Sequence, residues 1–327
     1  MAGIKIDPDF SGVLLENKGT QTIIKTYGYR DKANKLVNEE QTRFGTASLG
    51  KIFIAVAIMQ LIEKESIHFD TTIDTFYPTS LGNVDLTITI QELLTHTSGL
   101  QDYFDEEVNE DYEALWKELP NYSIRKNKDI FPLFIHKEKE TTRRGSFIYN
   151  NAGYVVLADI IEQLAAMPFD QYLAENIFQP LGMHDTGYFE MDQLPGNTAF
   201  GYIKEENNRY RTNIYAIDSK GTGAGGCYTT AGDIHTFWAG LFSYQLLSEK
   251  YVAEMIKPHI EQNKQKFGIG LWLTQSHTDH VFAYIEGSDP GVSCISLYGL
   301  TVPNSLTLLS NCEDNVWQIA RDYLKTQ

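Results

Sequence analysis

Only three cysteines occur in the 327 residues, Cys227, Cys294 and Cys312. They are too few and too scattered for a disulfide framework, and no CxxC pair offers a metal site, so buried free thiols are expected. Basic residues are also scarce: 27 Lys and Arg stand against 43 Asp and Glu, a formal charge of −16. Binding a phosphate backbone needs cationic clusters that release counterions, so a nucleic-acid partner is not expected, and the same field repels anionic membranes. No window approaches the roughly 18 to 20 apolar residues of a membrane span. The start MAGIKIDPDF has neither the basic nor the apolar region of a signal peptide. As written the chain is expected to be cytoplasmic, and exported only if a leader segment preceded it. No short repeat is apparent. Among eight histidines only the SHTDH run, ending at His280, is clustered; it lies between two strand-like segments and reads as a hairpin turn, so no metal is expected.

What is present is the composition of an ordinary globular protein, 42% hydrophobic and 12% aromatic. SGVLLENKGTQTIIKTYGYRD reads as two strands with a polar turn at Asn17 to Thr20. From Ser48 to about Glu65 the chain is apolar at most positions without proline, long enough for a helix and apolar enough that the helix must lie inside. TITIQELLTHTSGLQDYF, 87–104, gives a short Thr-initiated helix and a loop opened by Ser98 and Gly99. DEEVNEDYEALWKELP and KNKDIFPLFIHKEKETTRR suggest a helical insertion with a polar exterior. NNAGYVVLADIIEQLAAM, 150–167, is an amphipathic helix, and a capped helix begins near Thr230. FGIGLWLTQ, HVFAYIEG, VSCISLYGLT and SLTLLSN then read as strands, with VWQIARDYL as a closing helix. The pattern predicts an α/β (α+β) fold, a mainly antiparallel sheet flanked by helices. Residues 1–80 and 226–327 would form the sheet domain and 81–225 an inserted all-helical domain.

TASLGK, 46–51, places Ser48 three residues before Lys51 at the mouth of the buried helix. Residues i and i+3 share a helix face roughly 5 to 6 Å apart, so the amine can reach the hydroxyl. A positive helix N-terminus and burial both disfavour the ammonium, and a Lys so placed can take or relay the serine proton. The plain alternative is a Ser48 that only caps the helix and a Lys51 that reaches out to water. SFIYNNAGY adds Tyr149 and Asn151 at the entrance to the next long helix, where a second base and an amide donor would be needed; the alternative for Tyr149 is a packed aromatic.

S-x-x-K followed by Y-x-N and a late strand carrying Gly is the pattern of the serine β-lactamase and penicillin-binding protein superfamily. FGTASLGK resembles the nucleophile segment of its class C β-lactamase-like family, which includes D-alanyl-D-alanine carboxypeptidases, D-aminopeptidases and β-lactamase-like esterases. ITIQELLTHTSGL, FQPLGMHDTGY, GGCYTTAGDI and FGIGLW are similar to further family segments, so the likeness covers essentially the whole chain. It implies a β-lactamase/transpeptidase-like fold and a serine hydrolase acylated at Ser48, acting on an ester, peptide or amide bond of a small-molecule or peptide substrate. Lys51 would ease deprotonation, Tyr149 would act as general base directly or through Lys51, and Asn151 would hold Lys51 and the substrate carbonyl side. No cofactor is implied. The oligomeric state is left open.

One family feature is broken. Where Lys-Thr-Gly or His-x-Gly is expected, aligning the closing Pro-Gly of AYIEGSDPGVSC puts Ile285, Glu286 and Gly287. Gly287 still allows close approach of substrate, and the N–H groups of Ser288 and Ser48 can form an oxyanion hole. Ile285 and Glu286 point to opposite faces of a regular strand. With Ile285 inward, the expectation favoured here, the site suits an ester or neutral amide; with Glu286 turned in by a bulge it suits an amine-bearing substrate. The missing cation also leaves open an impaired sensor or binding protein, or a carboxypeptidase or β-lactamase proper. The segment from Asp102 to Arg144 either walls the cleft beside Tyr149 or is a solvated helical face.

Overall fold

Strand β1 (Gly12–Lys18) is buried at every residue but the last, because it lies inside the sheet with packed layers on both faces. The computed structural model describes all residues except 1–3, 107, 110, 118, 139–142 and 263–264. Parts of the segment from Asp102 to Arg144 and of the opening decapeptide therefore lie outside the described residues. β1 turns back through Gly19 into β2 (Gln21–Tyr27), the hairpin read from the sequence. The rest of the sheet comes from the last third of the chain: β3 (Ile260–Gln262), β4 (Gln265–Phe267), β5 (Trp272–Gln275), β6 (Val281–Asp289), β7 (Val292–Gly299) and β8 (Asn304–Ser310). All pairings are antiparallel, in the order β2-β1-β8-β7-β6-β5-β4-β3. Residues from the two chain ends thus meet in mid-sheet, where Gly12 faces Ser310.

Alternation along the strands sends side chains to two cores. Val13, Leu15, Ile285 and Leu309 join the larger one with helix α1 (Lys51–Glu63). Leu14, Phe282, Leu306 and Leu308 meet the closing helix, Val316–Leu324, on the other face. α1 has its whole length from Lys51 to Ile62 buried, as an all-round apolar helix must. It packs against α2 (Asn151–Ala165), and α3 (Ala231–Phe242) lies against β8 and β1. Thr230 caps α3 by accepting from the Asp233 amide. The short helix Ile90–Leu94 starts with a reciprocal Thr89–Glu92 capping box.

Three expectations need correction. The described part of the segment from Asp102 to Arg144 is a chain of short turns, Tyr112–Lys117, Asn121–Ser123 and Phe131–Leu133, with one four-residue α-helix, Asn127–Ile130. Pro120 and Pro132 interrupt any longer helix there. Between 81 and 225 the chain also forms a small hairpin, Tyr202–Lys204 with Tyr210–Thr212, so this region is not all helical. Finally, Ser48 belongs to a 3₁₀ turn, Ala47–Gly50, that precedes α1, rather than to the helix itself. The three cysteines are buried and free, and 277–280 lies in the turn between β5 and β6. Among the described residues no single helix is long and apolar enough to cross a membrane; Asn151–Ala165 and Phe169–Leu181 reach that length and composition only as a pair bent by 77°.

The larger core is held at its centre by Phe53, fully buried, with edge-to-face contacts to Phe178 at 5.0 Å and Phe237 at 4.9 Å. Phe53→Ala is expected to destabilise the fold by about 3–5 kcal/mol through lost transfer energy and a residual cavity. Urea unfolding of the variant beside the parent, at an unchanged slope, measures it.

Candidate active site

Because Ser48 sits in the four-residue 3₁₀ turn Ala47–Gly50, with three residues per turn, it eclipses Lys51, the first residue of α1, more directly than α-helical spacing would allow. Ala47, just before the serine, is buried with a left-handed φ of 46°. A non-glycine residue there carries strain of about 1–3 kcal/mol, which surrounding contacts must offset. The turn is clamped from two sides by backbone alone. A Cβ on Gly287 of β6 would stand 2.2 Å from the Thr46 carbonyl oxygen and 2.9 Å from the Ser48 amide nitrogen. One on Gly225 would stand 2.5 Å from the Ala47 carbonyl oxygen.

Lys51 is buried, and all three of its ammonium protons are used. Nζ donates to Ser48 Oγ at 2.8 Å, to Asn151 Oδ1 at 2.8 Å and to the Ala224 carbonyl at 2.5 Å. Burial brings its pKa down to about 8, against the opposing pull of Glu106, Asp102, Asp289 and Asp218. Asn151 begins α2, whose cap is Asn150 accepting from the Gly153 amide. The Asn151 amide group donates to Glu106 Oε1 at 3.1 Å and to the Phe104 carbonyl at 3.3 Å, which fixes its oxygen toward Lys51. Asp102 accepts the backbone N–H groups of Asn151 and Ala152 at 2.6 and 3.0 Å, anchoring the helix start. Burial nevertheless pushes the Asp102 carboxyl up to about 6.

Tyr149 lies beside both groups, its ring 4.9 Å from Lys51 Nζ and its hydroxyl against Ser48. Burial, with Glu106, holds the phenol protonated well above its usual range; the Ser48 contact pulls the other way. Behind it, His96 packs against Tyr149 in a tilted contact with ring centroids 4.5 Å apart. Its Nδ1 accepts from the Asn150 amide at 3.0 Å, and burial with the Lys51 charge keeps the ring neutral. Like Ala47, His96 has a left-handed backbone, with φ at 56°.

The broken motif is resolved by register. β6 pairs with β7 without a bulge through Ile285↔Ser296, Glu286↔Ile295 and Gly287↔Cys294. Ile285 is buried in the larger core and closes a small void behind Ser48, Lys51 and Tyr149. Glu286, at the edge of that void, is drawn to the closing helix, where Trp317 Nε1 donates to its Oε2 at 2.6 Å. The bulge that would turn Glu286 inward is not formed. Ser288 lines the main cleft with Ser48 and Asn151. That cleft, about 260 Å³, is walled on one side by Tyr103, Phe104, Glu106 and Tyr112, so the described part of the segment from Asp102 to Arg144 does border it.

Sequence reasoning brought forward Ser48, Lys51, Tyr149, Asn151, Ile285, Glu286, Gly287 and Ser288: the fold sets Ser48, Asn151 and Ser288 on the main cleft, Lys51, Tyr149, Ile285 and Glu286 on the void behind Ser48, and Gly287 against the Ser48 turn. It missed the Ala224 carbonyl, which any residue carries, and Asp102, Glu106, His96, Asp218 and Asp289. His96 stood in the recognised HTSGL segment, and its place there was the available signal. Among the described residues there is no group of three or more His, Cys, Asp or Glu that could hold a metal ion.

Residues 10–314 match the family described as Beta-lactamase. The chain is 27% identical over 308 residues to the "Putative penicillin-binding protein PbpX" of Bacillus subtilis (strain 168), covering 94% of this chain and 72% of that one. It is 25% identical over 242 residues to the teichoic acid D-alanine hydrolase of Staphylococcus aureus, covering 74% of this chain and 56% of that one. Among solved structures, a penicillin-binding protein from Bacillus halodurans superposes with a TM-score of 0.93 at 35% identity, over 98% of both chains.

Gly287→Ala is expected to push the Ser48 turn away from β6, because the neighbour of the new Cβ is backbone and cannot swing aside. The cost is about 1–3 kcal/mol of stability, with Ser48 labelling by a fluorophosphonate slowed by at least about tenfold. Thermal unfolding and labelling rates on the same sample separate the two effects.

Proposed function

The chain belongs to the Beta-lactamase family, and on that premise we propose that it is a serine hydrolase working through an acyl-enzyme on Ser48. The observation that carries the reading is the arrangement of half-buried Ser48 Oγ, buried Lys51 Nζ and Asn151 Oδ1, joined by two contacts of 2.8 Å. Of the two groups beside the hydroxyl, Tyr149 is held as a phenol, whereas Lys51 at about 8 can shed a proton near neutrality. Neutral Lys51 accepts the Ser48 proton as Oγ bonds to the substrate carbonyl carbon. The same proton leaves with the departing alcohol or amine, and Tyr149, hydrogen-bonded to the oxygen, guides the transfer. Water then repeats the sequence, releasing the acid and restoring Ser48. The N–H groups of Ser48 and Ser288 face the developing oxyanion.

The relative named a D-alanine hydrolase supports an ester or amide as the bond cleaved. The replacement of the family's cleft cation by Ile285 removes a partner for a substrate carboxylate, and it speaks against β-lactams and carboxylate-terminated peptides as preferred substrates. It is also the one observation that favours a second reading, a protein that binds but does not turn over.

Intact mass after exposure to a fluorophosphonate tests the proposal: one adduct is expected, absent in Ser48→Ala. No adduct at any pH favours the binding protein. Lys51→Met is expected to slow acylation by about 10²–10⁴-fold.

The pH profile has a defined sign. The competent form is neutral Lys51, so the acylation rate falls about tenfold per unit below the Lys51 pKa and levels off above about 8. A labelling rate flat from pH 6 to 9 contradicts Lys51 as the proton acceptor.

A further inference from the structure

The main cleft carries no Lys or Arg among its described lining residues, but four carboxylates: Glu106, Asp218, Asp289 and Glu313. Two of them have partners. Glu106 accepts from the Asn151 amide, and Glu313 from the Gly291 amide at 3.4 Å. Asp218 and Asp289 are less well served: Asp218 accepts its own backbone amide, among the described residues no side chain donates a hydrogen bond to either, and both line the cleft and the pocket beside it. Burial raises the Asp218 carboxyl to about 7, and burial with Asp218 alongside raises Asp289 well above the carboxylate range. The cation that acts on both is Lys51, whose protons are already committed to Ser48, Asn151 and Ala224. Two neighbouring carboxyls in a partly dry wall with no cationic side chain beside them tend to hold protons, and a positive charge placed between them favours their ionised forms. The acidic residues do not form a cluster that could hold a metal ion.

Position decides what that charge is attached to. Asp289 follows Ser288, one residue on along β6, about 3.3 Å further. It shares a strand face with Gly287, the face against the Ser48 turn. A cation held by Asp289 therefore lies only a few bonds from a carbonyl carbon in reach of Ser48 Oγ. Resting on the serine-hydrolase reading above, we propose that Asp218 and Asp289 are specificity-determining residues that receive a primary ammonium group, so that the substrate is an aminoacyl ester or amide. The amine-bearing substrate is thus selected by the loop carrying Asp218 and the end of β6, with Glu286 turned away. The same wall repels a substrate carboxylate in that position.

Binding is read most directly in Ser48→Ala, which cannot consume the ligand. NMR titration with D- and L-alaninamide and their N-acetyl counterparts compares ligands that differ by one charge. The free amine of at least one enantiomer is expected to bind at least about tenfold tighter than its acetylated form, an advantage that weakens with added salt. Asp218→Asn and Asp289→Asn, close in shape to the parent residues, should each shrink that ratio. Equal or tighter binding of both acetylated ligands, or a ratio that neither substitution changes, overturns the proposal. Fluorophosphonate labelling of Ser48 in the unaltered protein is a separate readout. Labelling without amine preference refutes only the substrate class, whereas its absence refutes the hydrolase reading.

Discussion

An ammonium group taken out of water must find an acceptor for each proton, and the arrangement around Lys51 follows from that requirement. Its three acceptors come from three separated parts of the chain: the Ser48 turn, the first residue of α2, and the Ala224 carbonyl. Holding them in place needs the Asn150 cap, the Asp102 anchor on α2 and the glycines that let Gly225 and Gly287 press on the turn. The charge that must be satisfied in one state is also the charge burial makes easy to lose, with the pKa brought to about 8. Structural constraint and reactivity are here the same feature.

The electrostatics of the cleft divide between two neighbourhoods. Around Tyr149 and His96 the surroundings are aromatic and dry, so both stay neutral and act through position. Around Asp218 and Asp289 the wall is acidic, offset by the Asp218 backbone amide and by the Lys51 charge. The broken third motif joins these halves: Ile285 extends the dry region where the family places a cation, leaving the acidic wall without that charge.

Much of this was legible in residue order because periodicity and punctuation are local. The β1–β2 hairpin, the all-apolar α1, the Thr230 cap and the late strands could be read from short windows, and the S-x-x-K spacing brought Ser48 and Lys51 together before any tertiary contact was known. What was not legible depends on distant chain segments. The 3₁₀ turn at Ser48 exists because Gly225 and Gly287 press on it from elsewhere. Asp218 and Asp289 carry no motif and acquire meaning only by facing one cleft. The acidic and basic patterning after Asp102 suggested helices, but Pro120 and Pro132 and the demands of a cleft wall leave short turns.

The central pairing of β1 with β8 has a consequence for how the molecule is made. β1 finds β2 within a few residues, but its other edge waits for a strand nearly three hundred positions later. Until then the growing polypeptide exposes an apolar strand edge, a template for wrong partners during synthesis. Gly287, which presses on the Ser48 turn, arrives on that same late stretch, so the emerging chain carries Ser48 and Lys51 long before that turn is held in place.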